Sequence, residues 1–486
     1  MTATIESTGS VLRVKPVVDD LAPRFTRLSD EVWGCPELRW EEHRSLGKQI
    51  AAAEEFGGRI TREAGGVPTA YMAEWGSGSP VIGFLGEYDA LYGLNQKAFS
   101  VVPEPDPDNP TANGHGCGHN LLGSGSLLAA VATARYLEAN GLPGTVRYFG
   151  CPAEEGAAGK TFMVAGGAMD GIDAAVTWHP MDVMMTSQWL SLAYTQAYFR
   201  FKGRAAHAGA QPQLGRSALD AAELMNVGVN FVREHMGDFD RIHYAFIDAG
   251  GTSPNVVQPT AELYYIIRSP KVASMRALYE RVVKVAQGAA LMTETEVEVE
   301  FDGACAEYLP NRVLEEALHA NVVDLGGVQY DEADQEFARA IAKTLPPGAT
   351  DGTLGRLGQS PDSPPLVSMV IPLPDPAHRI QMTGSTDVGD VSWVAPTVQI
   401  TGGTWAAGTP AHSWQAVSQG KSPAAHKGLI HAATAMSATA LDLFTRPDLL
   451  EAAKAEFAGI IARTPYDCPI PEGTIPPPLR EGYRPA

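Results

Sequence analysis

Hydrophobic and polar positions divide the chain into two kinds of pattern. In the first, short apolar runs bounded by glycine alternate with longer stretches of helical period. Pro80-Val81-Ile82-Gly83-Phe84-Leu85 runs apolar into Gly86, and Gly144–Cys151, Ala174–Trp178 and Thr397–Ile400 read the same way. Such runs predict buried strands by their length and flanks. Leu121–Glu138 is helical by period and rich in Ala and Leu, and Leu28–Phe56 reads as a helix pair around a Trp33-Gly34-Cys35-Pro36-Glu37 turn. Strands alternating with helices predict an α/β domain on a central sheet, where ligands collect at the carboxyl ends of strands.

The pattern changes near Leu190. Tyr194–Lys202, Arg241–Asp248, Ala261–Arg268 and Thr295–Phe301 alternate like half-exposed strands, while Ser217–Glu234 and Val272–Leu291 are amphipathic helices. Strand-helix-strand-strand-helix-strand is the ferredoxin-like motif. It predicts an inserted α+β domain over 190–306, with 1–189 and 307–486 forming one split catalytic domain. Gln96–Gly114 is acidic and Pro-rich and reads as a loop, of a length that often lines a site. The tail after Asp467 is Pro-rich and is expected to extend over the surface.

Composition narrows the partners. A chain of 486 residues exceeds one compact core, in keeping with two domains. Its 36 basic and 56 acidic residues leave a charge of −20, which argues against nucleic acid or an anionic membrane as partner. No run of about 20 apolar residues suggests a membrane span, and Met1–Ser10 is polar, without the apolar core of a secretory signal. Cys35, Cys117, Cys151, Cys305 and Cys468 are few, odd in number and widely spaced, which fits reduced thiols in a cytoplasm.

The candidate chemistry begins at Gly114-His115-Gly116-Cys117-Gly118-His119-Asn120. Glycines let the backbone turn tightly, and a thiolate and an imidazole two residues apart can converge on one borderline-soft metal ion. The helix start after Cys117 favours a thiolate. The plainer reading is a Gly-rich turn with a buried thiol, but Glu154-Glu155, His179 and His412 follow apolar or Gly-rich segments downstream and favour a metal centre. Of the two neighbouring carboxylates, one can ligate metal while the other faces its water and moves a proton. Asp89 is a natural partner for the far nitrogen of a ligating histidine, His115 reads as a support rather than a ligand, and Glu87 can be either. In the inserted segment, His207, Asn255 and Arg268 can polarise a carbonyl and hold a carboxylate, or be ordinary loop residues. The sequence carries no phosphate-binding loop, nucleotide fingerprint or G-x-S-x-G elbow, which removes support for phosphoryl transfer and serine hydrolysis.

These motifs together resemble the metal-dependent aminoacylase and carboxypeptidase family, which includes the glutamate carboxypeptidases. The resemblance is to the branch with Cys-Gly-His, which also holds the indoleacetyl-amino-acid hydrolases. It spans nearly the whole chain: Cys35-Pro36-Glu37-Leu38, Glu87-Tyr88-Asp89-Ala90-Leu91, Gly116–Asn120, Pro152-Ala153-Glu154-Glu155-Gly156, Trp178-His179-Pro180, Ala206-His207-Ala208, Pro254-Asn255-Val256-Val257, Ser385–Asp390 and Pro410–Trp414. The resemblance implies an amidohydrolase of N-acyl or N-aroyl amino acids, p-aminobenzoyl-glutamate among them. It implies one or two divalent ions, Zn or Mn, held by Cys117, His119, Glu155, His179 and His412, with Glu154 as general base and Asp89 in the catalytic set. It also implies that Asn255 and Arg268 contact substrate, that His207 stabilises the oxyanion in a partner chain, and that the inserted domain is a lid that dimerises, in a homodimer or with a homologous chain. Two departures stand out: Glu87 replaces the usual first histidine ligand, and Gln96–Gly114 and Gly326–Pro376 are long. A dipeptidase or general aminoacylase on the same centre, and a non-catalytic partner of a homologous hydrolase, are the competing readings.

Overall fold

The computed structural model describes residues 9–481. Its strands in chain order are β1 (Arg59–Arg62), β2 (Tyr71–Ser77), β3 (Val81–Glu87), β4 (Gly144–Cys151), β5 (Ala174–Met181), β6 (Met185–Thr186), β7 (Ala193–Lys202), β8 (Arg241–Asp248), β9 (Thr260–Ser269), β10 (Glu296–Cys305) and β11 (Thr397–Gly403). They form a seven-stranded mixed sheet, β1-β2-β4-β3-β5-β11-β6, and a four-stranded antiparallel sheet, β10-β7-β9-β8.

The centre of the large sheet, β4-β3-β5-β11, is parallel. Parallel strands are covered on both faces, which is why they read as continuous apolar runs. The helices Ser10–Trp33, His119–Ala139 and Pro423–Thr445 pack against one another over this sheet, around fully buried Phe84, Tyr148 and Trp178. Parallel order puts the carboxyl ends Glu87, Cys151, Met181 and Gly403 at one edge, with Glu87 opposite Cys151 and Gly403 opposite Met181.

The second sheet carries the helices Ala218–Arg233 and Val272–Thr293 on one face. Period-two alternation sends Ala261, Leu263, Tyr265 and Ile267 of β9 to that helical face. Tyr264, Ile266 and Arg268 take the opposite face, paired in register with Tyr198, Gln196 and Tyr194 of β7. At the base of the sheet this second face turns towards the carboxyl edge of the large sheet.

The α/β class and the two-sheet architecture agree with the pattern of the sequence, but several elements do not announce themselves. The polar edge strand β1 and the two-residue β6 carry no apolar run. Strand β2 makes the sheet mixed by pairing antiparallel to β4. Strand β10 runs on to Cys305 through an irregularity between Phe301 and Gly303 that hides its alternation. Gln96–Gly114 is a loop, as expected, tied by the Asn95, Gln96 and Asn109 side chains to its own backbone. Gly326–Pro376 contains the helices Glu332–Ala342 and Ala349–Arg356. Among the described residues, no helix is long and apolar enough to cross a membrane.

Candidate metal centre

The carboxyl edge of the large sheet gathers most of the expected residues. His119 is the first residue of its helix, entered through Gly118 in the left-handed region at φ 74°. The His412 N–H donates to the Gly116 carbonyl at 2.9 Å. A Cβ at Gly116 would come within 2.4 Å of Leu94 Cδ1 and 3.2 Å of His412 Cα, so the close approach of these two loops needs glycine there. His179 stands on β5, which is locked to the helix beneath by fully buried Trp178, whose Nε1 donates to the Leu122 carbonyl at 3.0 Å.

Glu154 and Glu155 diverge because their turn is contorted. Ala153 and Ala158 both adopt φ 58°, and Gly156 lies at φ 106°. A left-handed non-glycine residue costs roughly 1–2 kcal/mol, so such a turn persists only when surrounding bonds hold it. They are present: the Ala153 N–H donates to buried Glu42 at 2.9 Å, and the Glu155 N–H to Asp89 Oδ2 at 2.7 Å. The Gly156 carbonyl accepts from Arg39 and Gln196, both of which also bond the Asp302 carboxylate of β10. The small sheet is thus fastened to the turn that carries the two acids.

The side chains converge. His119 Nδ1 donates to Asp89 Oδ1 at 2.8 Å, so Asp89 orients both His119 and the Glu155 backbone. His179 Nδ1 donates to the Pro180 carbonyl at 2.8 Å, and its Nε2 lies 3.5 Å from Cys117 Sγ. His119 Nε2 lies 3.1 Å from Glu87 Oε2 and 3.9 Å from Glu154 Oε2; His412 Nε2 lies 3.3 Å from Glu155 Oε1. Three ligand sets result, each within 4.8 Å: Cys117, His119 and His179; Cys117, Glu155 and His412; and Glu87, His119 and Glu154.

The donor set fits a divalent cation. His119 Nε2, Glu87 Oε2 and Glu155 Oε1 are buried and lack a hydrogen-bond partner, although each faces a potential ligand atom close by. Orphaned buried polar atoms are costly; a cation beside His119 and Glu87 and one beside Glu155 and His412 would satisfy them, since these atoms fall in separate ligand sets. Protonation follows the same logic. Burial and Glu155 push the Cys117 thiol up, but the charge of His179, its hydrogen bond to the sulfur and the nearby His119 outweigh them and bring it down to about 6. Burial also opposes charge on Glu155, yet His412 and His119 bring its carboxyl down to about 2. The adjacent Cys117 and Glu155 lift His412 to about 11. Burial, then the neighbouring Glu87 and Glu155 carboxylates, push Glu154 well above the ordinary range. Without a cation the negative groups hold protons on their histidine neighbours, and metal loading would displace them.

Above this edge lies a cavity of about 380 Å³. Cys117, Glu154, Glu155, His179 and His412 line one side; Trp189, Tyr194, Ile266, Tyr308 and Met382 line the rest with Arg268. Arg268 Nη1 donates to Ser385 Oγ at 3.0 Å, and the guanidinium sits over the Tyr194 ring. The site therefore offers a cation position, carboxylates able to move protons, and a fixed cation across an apolar gap.

Two expected residues are not gathered. His207 and Asn255 lie together, with the Ala208 N–H donating to the Asn255 carbonyl at 2.9 Å, but neither lines the cavity. They follow β7 and precede β9, at the end of the small sheet away from Arg268. Eight residue steps lead from Thr260 to Arg268, roughly 26 Å at 3.3 Å per residue. His115 is buried, its Nε2 donating to the Val32 carbonyl at 3.1 Å. Nothing in the local pattern singles out Lys160, Arg39 or Trp189 as site residues, and Asp387 stands in the Ser385–Asp390 motif without an assigned role. An isolated lysine or arginine reads as a solvated surface charge, and only the contacts show these two buried.

The sequence model of Peptidase family M20/M25/M40 matches residues 83–352. The chain is 45% identical over 467 residues to the B component of the p-aminobenzoyl-glutamate hydrolase of Escherichia coli, covering 94% of this chain and 96% of that one. It is 29% identical to the Xaa-Arg dipeptidase of Mus musculus, over 90% of each chain. Among solved structures, the aminobenzoyl-glutamate utilization protein of Klebsiella pneumoniae superimposes with TM-score 0.55 at 19% identity, over 86% of this chain and 98% of that one. A dinuclear metal-binding peptidase of the M20 family from Bacillus subtilis superimposes with TM-score 0.52 at 17% identity, over 88% and 99%. At these identities the two structures speak for the fold.

Proposed function

Since the chain belongs to Peptidase family M20/M25/M40, and so is a hydrolase of amide bonds, we propose that it cleaves N-acyl and N-aroyl amino acids, with p-aminobenzoyl-glutamate as substrate. The observation that carries this reading is that Cys117 joins His119 and His179 in one ligand set and Glu155 and His412 in another, with Cys117, Glu155, His179 and His412 lining a cavity that Arg268 also lines. Cys117, His119, Glu155, His179 and His412 would hold the metal, one or two ions. Mixed thiolate, imidazole and carboxylate donors suit Zn, with Mn the alternative. A divalent ion bound there supplies Lewis-acid polarisation of the amide carbonyl and a lowered pKa for water.

The chain's own groups do the rest. Glu154, unligated and facing His119, takes the proton of the attacking water and delivers it to the leaving nitrogen. Asp89 keeps His119 in the tautomer that presents Nε2. Arg268 holds a substrate carboxylate, and the apolar lining from Trp189, Tyr308 and Met382 accepts an aryl group. A hydrolysis screen of acyl-amino acids, with metal replenished, tests the substrate class. Aroyl-glutamates should be cleaved fastest; a preference for basic dipeptides would move the chain towards dipeptidase activity, and inertness to the whole panel would support the non-catalytic reading.

Arg268→Ala is expected to raise KM for carboxylate-bearing substrates by about tenfold or more, at unchanged metal content. Equal KM for acyl-amino acids and their amides in the wild type would remove Arg268 from substrate recognition. Gly116→Ala should push His412 away and lower metal affinity by about 10–100-fold; metal binding as tight as wild type would show that the loop yields.

The position of His207 points to a partner. From the distal end of the small sheet it reaches a metal site only if another chain presents it, here a second copy, in a cytoplasmic homodimer whose small sheet is both lid and interface. Mixing inactive His207→Ala and Glu154→Gln chains should restore up to about half the activity per mixed dimer, since one site regains both residues. Tagged co-purification reports exchange; mixed dimers that stay inactive would place His207 outside the reaction. This chain is similar to both components of the Escherichia coli p-aminobenzoyl-glutamate hydrolase, to the second at 29% identity over 57% of this chain. That double similarity makes a heteromer the second assembly to look for.

A further inference from the structure

Lys160 is a buried charge that the chemistry above does not use. Its side chain is wholly inaccessible, in the short helix Gly159–Ala165 that follows the Glu154-Glu155 turn. The ammonium donates to Glu87 Oε1 at 2.5 Å and to Asp387 Oδ1 at 2.6 Å, and Asp387 Oδ2 accepts the Lys160 backbone N–H at 2.9 Å. Two carboxylates share one ammonium, so one negative charge is left uncancelled. The geometry says where that charge points. Glu87 Oε1 is taken by Lys160, while Oε2 has no hydrogen-bond partner and faces His119 Nε2 at 3.1 Å. No lysine or arginine pairs with Glu155 among the described residues; its ion-pair neighbour is His412.

We infer that Lys160 is a positioning residue that sets the cation affinity of the His119 side of the centre. It pins Glu87 so that one oxygen faces His119, and it cancels one of the two negative charges that Glu87 and Asp387 would otherwise direct there. A unit charge a few ångströms from a divalent ion acts strongly even at the effective dielectric of a protein. The Cys117–Glu155–His412 side lacks such a counter-ion. This inference rests on the metal-centre reading proposed above, and the test reports on the two separately.

The test is cobalt(II) titration of the metal-free full-length chain, following the thiolate-to-cobalt absorption of Cys117 and the equivalents bound at equilibrium. Lys160→Met should tighten one binding step by about tenfold or more, and Asp387→Asn should loosen the same step. The double variant keeps the net charge of the cluster and should return to within about threefold of wild type. It also replaces the buried pair as a unit, which proteins tolerate better than losing one partner. In a His179→Ala background, which removes a ligand from that side, the Lys160→Met effect should vanish. A merely structural role gives a different result: both single variants loosen binding and the double is worse than either. That outcome, or single variants within about twofold of wild type, overturns the inference. Should Lys160→Met not fold, Asp387→Asn and the double variant decide between the same two results. Absence of any thiolate-to-cobalt band in the wild type would overturn the metal-centre reading, and the inference with it.

Discussion

Glu154→Gln is expected to reduce kcat by about 10²–10⁴-fold or more while leaving metal content and KM close to wild type. The substitution keeps shape and removes only the capacity to take and return a proton. Glu154 Oε2 lies 3.9 Å from His119 Nε2, near the centre yet outside the hydrogen bonds that bind Asp89 and Glu155 into it. A second readout separates a base from a ligand. Burial, Glu87 and Glu155 hold the Glu154 carboxyl well above its ordinary value, so the folded metal-free chain binds a proton there more tightly than the unfolded chain. Stability from that proton is present at low pH and is lost as pH rises through the raised value. Glutamine removes the buried charge, so the metal-free variant should melt higher than wild type at neutral and alkaline pH, by thermal denaturation. Wild-type turnover, or loss of metal, would refute the assignment of Glu154 as base.

Cys117→Ala is expected to lose metal and, with it, activity by a factor comparable to complete demetallation. Cys117 belongs to two of the three ligand sets, so its loss weakens both sides of the centre. Cys151→Ala, Cys305→Ala and Cys468→Ala should keep wild-type metal content. Burial pushes the Cys151 thiol up to about 12, and also raises those of Cys305 and Cys468, so none offers a thiolate at neutral pH. Cys117, brought down to about 6, does. Full metal content in Cys117→Ala, measured by elemental analysis, would place the site elsewhere.

Much of the fold and of the centre is legible in the amino-acid pattern. The parallel strands β3, β4, β5 and β11 announce themselves because both faces are buried, and β9 because one face is. The cluster of Cys117, His119, Glu155, His179 and His412 follows from one rule, that side chains at the carboxyl ends of parallel strands meet. Which of the candidate residues of the small sheet reach the site is hidden in sequence. Arg268 reaches the cavity, whereas Asn255, thirteen positions earlier, does not. Local pattern cannot say which end of a strand turns towards the site. Lys160 and Arg39 escape notice for a different reason: burial of a charge depends on carboxylates at positions 87, 302 and 387, far from them in sequence.

The most direct test of the central claim is release of p-aminobenzoate from p-aminobenzoyl-glutamate by the purified chain alone, before and after chelation and after Zn or Mn is restored. The expected result is release that chelation abolishes and a divalent ion brings back. Undiminished release by fully metal-stripped protein, or none by fully loaded protein, would contradict it.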